Sequence, residues 1–214
     1  MDVEQLKRAA AETAAQLVTD GMRVGLGTGS TVRHLLPALA ERRLTGLRCV
    51  ATSIATEVQA RAAGLPVEPF DALDALDIVI DGADQVARDG WLVKGGGGAH
   101  LREKVVAVAA ERFVVIVDQH KLVPALHPPV PVELLRYGLQ ATLRALQPVS
   151  LRDAALSPDG GVIADQHSQI DDPVQTAAWL DAHPSVLAHG LFPSQMVNDV
   201  IVAGGGGVEH RRLR

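Results

Sequence analysis

Phe113 to Val117 reads FVVIV, an apolar run with no polar alternation. Such a strand needs cover on both faces, as a parallel strand has inside a sheet flanked by helices. Shorter apolar segments at Met22–Leu26, Leu47–Thr52 and Ala75–Ile80 are each followed by a join rich in Gly, Ser or Asp. Helical patterns lie between them. The first is Val3–Thr19, with Val3, Leu6, Ala10, Ala14 and Leu17 near helical spacing and Gly21 as its stop. The second is Thr31–Glu41, which Pro37 should kink or shorten, and the third is Ile54–Ala63, capped by Ser53 and stopped by Gly64. A short strand is expected over Leu65–Pro69, and a strand–helix pair over Trp91–Val93 and Ala99–Ala110. Alternation of this kind predicts an α/β fold with a doubly wound, mostly parallel, Rossmann-like sheet.

The character changes at LHPPVPVELL, Leu126–Leu135, where prolines punctuate the chain. A boundary is placed there. Beyond it the pattern reads strand (Val130–Glu133), helix (Leu134–Leu146), strand (Val149–Asp153), strand (Gly161–Ala164), helix (Pro173–Ala182) and strand (Val186–Phe192). That βαββαβ order predicts a smaller ferredoxin-like α+β domain over 128–194, with an oligomerisation role. The α/β catalytic domain would then comprise 1–127 plus 195–214, the strand Met196–Ala203 returning to its sheet. The second glycine quartet, Gly204–Gly207, reads as a flexible end.

Bulk properties remove several function classes. A chain of 214 residues with 47% hydrophobic content can bury a sizeable core, and a net charge of −5 without a basic run gives no footprint for nucleic acid. No apolar segment is long enough to span a bilayer, and MDVEQLKRAA is too charged for a signal peptide. A cytoplasmic protein with no membrane partner is expected. Cys49 is the single cysteine and lies in an apolar strand pattern, where it reads as a buried structural thiol.

Ligands of such a sheet bind at the carboxyl ends of its strands. Three loops fall there. Gly25–Thr31 offers the Thr28, Ser30 and Thr31 hydroxyls ahead of a helix N-terminus, which suits phosphate. It is a poor dinucleotide fingerprint, because Ser30 replaces the third glycine and Thr52 ends the second strand where an acid is needed; no Walker Gly-Lys-Ser/Thr occurs either. Asp81-Gly82-Ala83-Asp84 follows a buried strand, and its carboxylates either hold a ligand or close an Asx turn. Lys94-Gly95-Gly96-Gly97-Gly98 is either bare backbone brought close to a ligand or a linker, with Glu103 in the helix that follows.

Together these loops supply a phosphate cradle, carboxylates, a cation and a base, the set needed for proton transfer beside the carbonyl of a small sugar phosphate. That route requires no cofactor. Metal competes poorly: the eight histidines show no His-x-x-x-His spacing, and His100 with Glu103 lacks a third ligand. A serine hydrolase lacks its Gly-x-Ser-x-Gly elbow.

In order along the chain, GLGTGSTV, TSIATEVQARAAGLPV, DGAD, KGGGGAHLREK, VDQHK and HGLF resemble ribose-5-phosphate isomerase of the A type over nearly the whole length. The resemblance implies a metal-free enediolate interconversion of ribose 5-phosphate and ribulose 5-phosphate in the non-oxidative pentose phosphate pathway, by a homodimer. It implies Glu103 as proton acceptor and Lys94 as its cationic partner. Asp81 and Asp84, with Gly82 and Ala83, would hold sugar hydroxyls and assist ring opening. Thr28, Gly29, Ser30 and Thr31, with Gly95, Gly96, Gly97 and Lys121, would bind the remaining substrate, and Lys7 either reaches the phosphate or, as the safer reading, is a surface lysine. Gln85 and His100 depart from the family pattern, which has Glu after DGAD and a small or apolar residue at the other position. A sugar-phosphate sensor without turnover is the alternative from a different class.

Overall fold

The Phe113–Asp118 strand is buried at every position and lies inside a six-stranded sheet. The order across that sheet is Gly207–Arg212, Asp199–Gly204, Phe113–Asp118, Ile78–Asp81, Arg23–Leu26 and Arg48–Ala51. Every neighbouring pair is parallel except the outermost hairpin, Asp199–Gly204 with Gly207–Arg212. The computed structural model describes residues 1–214 and divides into two compact units. The first comprises Met1–Ala83, Arg102–Leu122 and Gln195–Arg214; the second comprises Asp84–Leu101 and Val123–Ser194. Residues 84–101 and 123–127 therefore pack with the second unit, which corrects the expected division at 127/128. Cutting at the prolines missed the excursion that leaves the first sheet after Ala83.

In the first unit the period-two alternation sorts side chains between the two faces. Val24, Leu26, Ile78, Ile80, Val114, Ile116 and Ile201 form one buried cluster with Leu6, Ala10, Ala14 and Leu35 of the helices Val3–Ala15 and Val32–Glu41. The alternate residues face the helix His100–Val108, since a Cβ on Gly25 would lie 2.4 Å from Val79 Cγ2 and 2.7 Å from Val106 Cγ1. Gly25 is bare because that helix packs on it. The Asp2 side chain accepts from Gln5 N while Gln5 returns a bond to the Asp2 N–H, a capping box that starts the first helix. Ser53 caps the helix Ile54–Ala62 as expected, and Gly64 follows its C-cap at φ +85°. The helix Val32–Glu41 continues through Pro37. The strand expected over Leu65–Pro69 reduces to a single bridge between Val67 and Cys49.

In the second unit the strands Val130–Leu134, Val149–Leu151, Val162–Gln166 and Val186–His189 form an antiparallel sheet. Its spatial order is fourth, first, third, second, as in the expected ferredoxin-like unit. Two expectations shift. The helix begins at Leu139 rather than Leu134, because Leu134 is claimed by pairing with both Val162 and Val186. The run Val186–Phe192 breaks at Gly190, so that Leu191–Phe192 pairs instead with Leu92–Val93 in a third small sheet that also contains Gln85–Ala87. Nor is the second glycine quartet a loose end. Gly204 pairs with Gly207 to turn the outer hairpin, and Gly205 N donates to Gln119 Oε1 at 3.1 Å. No helix is long and apolar enough to cross a membrane.

Candidate active site

In the first unit the parallel strands run to one carboxyl edge, where Leu26 lies opposite Ala51 and Ile80, and Asp118, paired with Ala203, extends three residues past Val115, the partner of Asp81. Gly27 follows Leu26, and a Cβ there would fall 2.0 Å from Asp81 Cγ. The missing side chain lets the buried Asp81 carboxylate lie against the turn, where its Oδ1 accepts from Thr28 N at 3.0 Å and from Gly82 N at 2.7 Å. The Asx-type reading of Asp81 is the one these bonds carry, and the same oxygen also ties Gly82 to the GLGTGST turn.

Hydroxyls stiffen that turn from beneath. Thr28 Oγ1 and Thr52 Oγ1 lie 2.8 Å apart, Thr56 Oγ1 donates to Gly27 O at 2.9 Å, and Ser53 Oγ donates to Thr56 Oγ1 at 3.0 Å. Gly29 adopts φ +128° to swing the chain into the helix at Val32, leaving Ser30 and Thr31 beside the helix N-terminus. A cleft of about 210 Å³ opens there, lined by Thr28, Ser30, Arg33, Thr56 and Gln59 among others. Thr52 and Thr56 were not singled out from the sequence; hydroxyls in TSIAT are ordinary in a capped helix start.

Glu103 lies in the first turn of the helix His100–Val108 and is only 4% exposed. It shares a face with Val106, three residues on, and Val106 packs on Gly25. Past the helix, Ala110 bridges Leu76 before the strand Phe113–Asp118 starts. The helix therefore ends at the amino edge of the sheet, and Glu103 is held one turn nearer the carboxyl edge where Asp81 and Thr28 lie. At that edge Asp118 accepts from His120 N at 2.9 Å and starts the short 3₁₀ turn Gln119–Lys121, which carries the half-buried Lys121. Lys7 is engaged on Glu4 at 2.7 Å. The Cys49 thiol is buried, and burial pushes its pKa up to about 12, as befits a structural group.

In the second unit Asp84 meets the first glycine run: its Oδ2 accepts from Gly96 N at 2.8 Å, and a Cβ on Gly96 would lie 2.8 Å from its Oδ1. Gly95 at φ +107° has no room for a Cβ between His100 and Pro131. His100 thus fills the space beside the loop. Lys94 is 2% exposed, and its Nζ lies 5.4 Å from the centre of the Phe192 ring. Its backbone is seated against Gly190, whose carbonyl accepts from Lys94 N at 2.8 Å and where any Cβ would strike the Lys94 carbonyl oxygen at 2.1 Å. The glycine of HGLF exists for that approach. Gln85, the departure after DGAD, accepts from His127 N at 2.9 Å and donates to His127 O at 2.8 Å. A carboxylate could make only the first of these bonds.

Residues 48–207 match the family model described as ribose 5-phosphate isomerase A, or phosphoriboisomerase A. The ribose-5-phosphate isomerase A of Bradyrhizobium diazoefficiens is 41% identical over 97% of this chain and 95% of its own length. A solved D-ribose-5-phosphate isomerase in complex with phospho-erythronic acid superposes with a TM-score of 0.94 at 32% identity, covering 99% of this chain and 100% of that one. The ribose 5-phosphate isomerase A of Neisseria gonorrhoeae gives the same TM-score and identity over 99% and 97%. A family match of this extent, joined to a sheet that brings the GLGTGST turn and Asp81 together at one edge of the first unit, identifies the chain as a member of the ribose 5-phosphate isomerase A family.

Proposed function

We infer that the protein interconverts D-ribose 5-phosphate and D-ribulose 5-phosphate, an aldose–ketose isomerisation of the non-oxidative pentose phosphate pathway. Glu103 carries the reading. What supports it is a carboxylate buried in the first turn of its helix, one turn from the residue that packs on the sheet, where a solvated surface acid would not lie. On the open-chain aldose it takes the proton from C2, and the electron pair forms the C1–C2 double bond while O1 gains negative charge. The proton is then returned to C1, and transfer of the O2 proton to O1 leaves the C2 ketone. Lys94, an ammonium held out of water, stabilises the enediolate oxygens. Asp81 and Asp84, with Gly82 and Ala83 between them, hold sugar hydroxyls and assist ring opening. Thr28, Gly29, Ser30 and Thr31 receive the phosphate with Lys121, and Gly95, Gly96 and Gly97 line the substrate with backbone, the Gly96 N–H being held by Asp84. This route needs no metal.

The protein is further proposed to act in the cytoplasm as a homodimer. The exposed apolar Leu135, Tyr137, Leu151 and Leu187 of the second unit offer surface for association, which sedimentation of the purified protein tests. For the activity, ribose 5-phosphate is incubated with enzyme and excess EDTA while ribulose 5-phosphate is followed. Turnover should survive chelation and fall by about 10²- to 10⁴-fold in Glu103→Gln. Phospho-erythronic acid, whose planar carboxylate resembles the charged enediolate, should compete and bind more tightly than substrate. Tight binding of ribose 5-phosphate without turnover by the unaltered protein would overturn the assignment.

A further inference from the structure

Arg152 follows the strand Val149–Leu151, and its guanidinium is engaged on two sides. Nε donates to Asp165 Oδ2 at 2.7 Å and Nη2 to Asp165 Oδ1 at 2.6 Å, a fork on a fork. The remaining nitrogen, Nη1, donates to the carbonyl oxygens of Gly95 at 2.7 Å and Gly96 at 3.2 Å. All of these residues belong to the second unit. On the same loop, Asp84 accepts the Gly96 N–H.

The peptide bonds of the loop are trans, and a trans peptide points its C=O and the following N–H in opposite directions. Drawing the Gly95 carbonyl to Arg152 therefore turns the Gly96 N–H to Asp84. Drawing the Gly96 carbonyl the same way turns the Gly97 N–H away from Arg152. Shape agrees with this two-sided grip: Gly98 at φ +69° leaves only 3.3 Å between an added Cβ and Ile163 Cγ1, on the strand that carries Asp165. A run of four glycines has the largest conformational freedom a chain can have. Here two strands of the antiparallel sheet remove it.

We propose that Arg152, held flat by Asp165, is a positioning residue for the isomerisation: it fixes the peptide planes of Gly95 and Gly96 so that the loop is set to receive the sugar before the sugar arrives. This rests on the reading of Lys94–Gly97 as the substrate loop. It also gives the second unit a task beyond oligomerisation. Lysine cannot replace this arginine, since one ammonium cannot span a carboxylate and two carbonyls in a plane.

The test uses the full-length protein, Arg152→Met, Arg152→Lys and, as a near-isosteric second variant, Asp165→Asn. Amide hydrogen exchange at Gly95–Gly98 is read without substrate, alongside KM and kcat for ribose 5-phosphate. In Arg152→Met, loop exchange should rise at least tenfold while the Phe113–Asp118 strand keeps its protection, and kcat/KM should fall about ten- to a hundredfold, mostly in KM. Arg152→Lys should behave like Arg152→Met, Asp165→Asn should fall between, and added guanidinium should restore part of the activity of Arg152→Met. Unchanged loop exchange overturns the proposal, as does faster exchange with unaltered kinetics. Loss of protection throughout the chain without guanidinium rescue overturns it in favour of a structural role. If the unaltered protein fails to isomerise ribose 5-phosphate, the functional reading falls by itself, and loop exchange still reports whether the clamp exists.

Discussion

The space a missing side chain leaves for a carboxylate decides what the first glycine turn is. Gly27 leaves room for Asp81, and Gly27→Ala would drive a methyl group into the carboxyl group at 2.0 Å. The carboxylate must move and lose its bond from Thr28 N. Overpacking of this kind costs about 1–3 kcal/mol, read as a lower urea midpoint, and kcat should fall with it because Asp81 leaves its position. An unchanged kcat in the folded variant would show that Asp81 takes no part in the reaction. At this scale the sequence was legible in kind but not in cause. GLGTGST marked a turn suited to an anion, whereas the partners that demand glycine at 25 and 27, Val106 and Asp81, lie 81 and 54 residues away along the chain. Gln85 shows the converse. As a departure from a motif it looked like a change in charge beside the site, and it proves to be a two-point bond to the backbone of His127. Nothing local to either residue announces that pairing.

Elements with a local signal stood where the sequence put them. Ser53 is one: its hydroxyl accepts from Thr56 N at 3.1 Å at the start of Ile54–Ala62, and through Thr56 Oγ1 it supports the Gly27 carbonyl. Ser53→Ala should destabilise the protein by about 1 kcal/mol, seen as a shift of the urea midpoint with unchanged slope. A change in slope instead would mean that the compactness of one end state, and not the cap, had been altered. Elements decided by partners were less legible. The stretch from Leu134 carries helical periodicity, yet sheet pairing on both edges holds Leu134 extended until Gly138 at φ +70° allows the helix to begin. Likewise Gly204–Gly207 has a composition shared by loose tails and tight turns. The adjoining apolar strand, which pairs with Gly207–Arg212, selects the turn. Arg152 and Asp165 belong with these, since their pairing depends on the register of two strands, Ala164 opposite Leu151, which composition does not contain.

Across the whole sheet of the first unit, the chemistry proposed above and the buried ion pairs occupy opposite edges. At the amino edge Asp199 is buried at 3% side-chain exposure between Arg112, whose Nε and Nη2 reach it at 2.7 and 2.9 Å, and His210 at 2.7 Å. Burial pushes its pKa upward, but the bonds from Arg112 and His210 outweigh that and leave it below the ordinary 3.8. Asp77 is lowered as well, chiefly by the Arg23 guanidinium and also by the Arg23 N–H, against the opposing effect of burial. A carboxyl group whose folded pKa is depressed contributes stability that is complete above its unfolded value and disappears as pH falls through the folded one. Stability should therefore hold down to about pH 4 and decline below it, and the decline should be shallower in Asp199→Asn, which has no proton to take up there. Arg112→Met removes the fork while burial remains, so the folded pKa of Asp199 rises and the acid decline should be shallower than in the unaltered protein, from a lower plateau. At neutral pH the variant should lose about 2 kcal/mol, less than breaking a fully buried pair costs because Arg112 is itself 31% exposed. Urea midpoints measured from pH 7 to pH 3 on the three proteins separate these outcomes. Parallel curves for Asp199→Asn and the unaltered protein would remove Asp199 as a source of acid sensitivity. Because this edge is the far end of the strands from Asp81 and Thr28, the loss should appear in stability while KM for ribose 5-phosphate stays fixed wherever the variant is folded; a shift in KM would mean that the strands transmit strain from one edge of the sheet to the other.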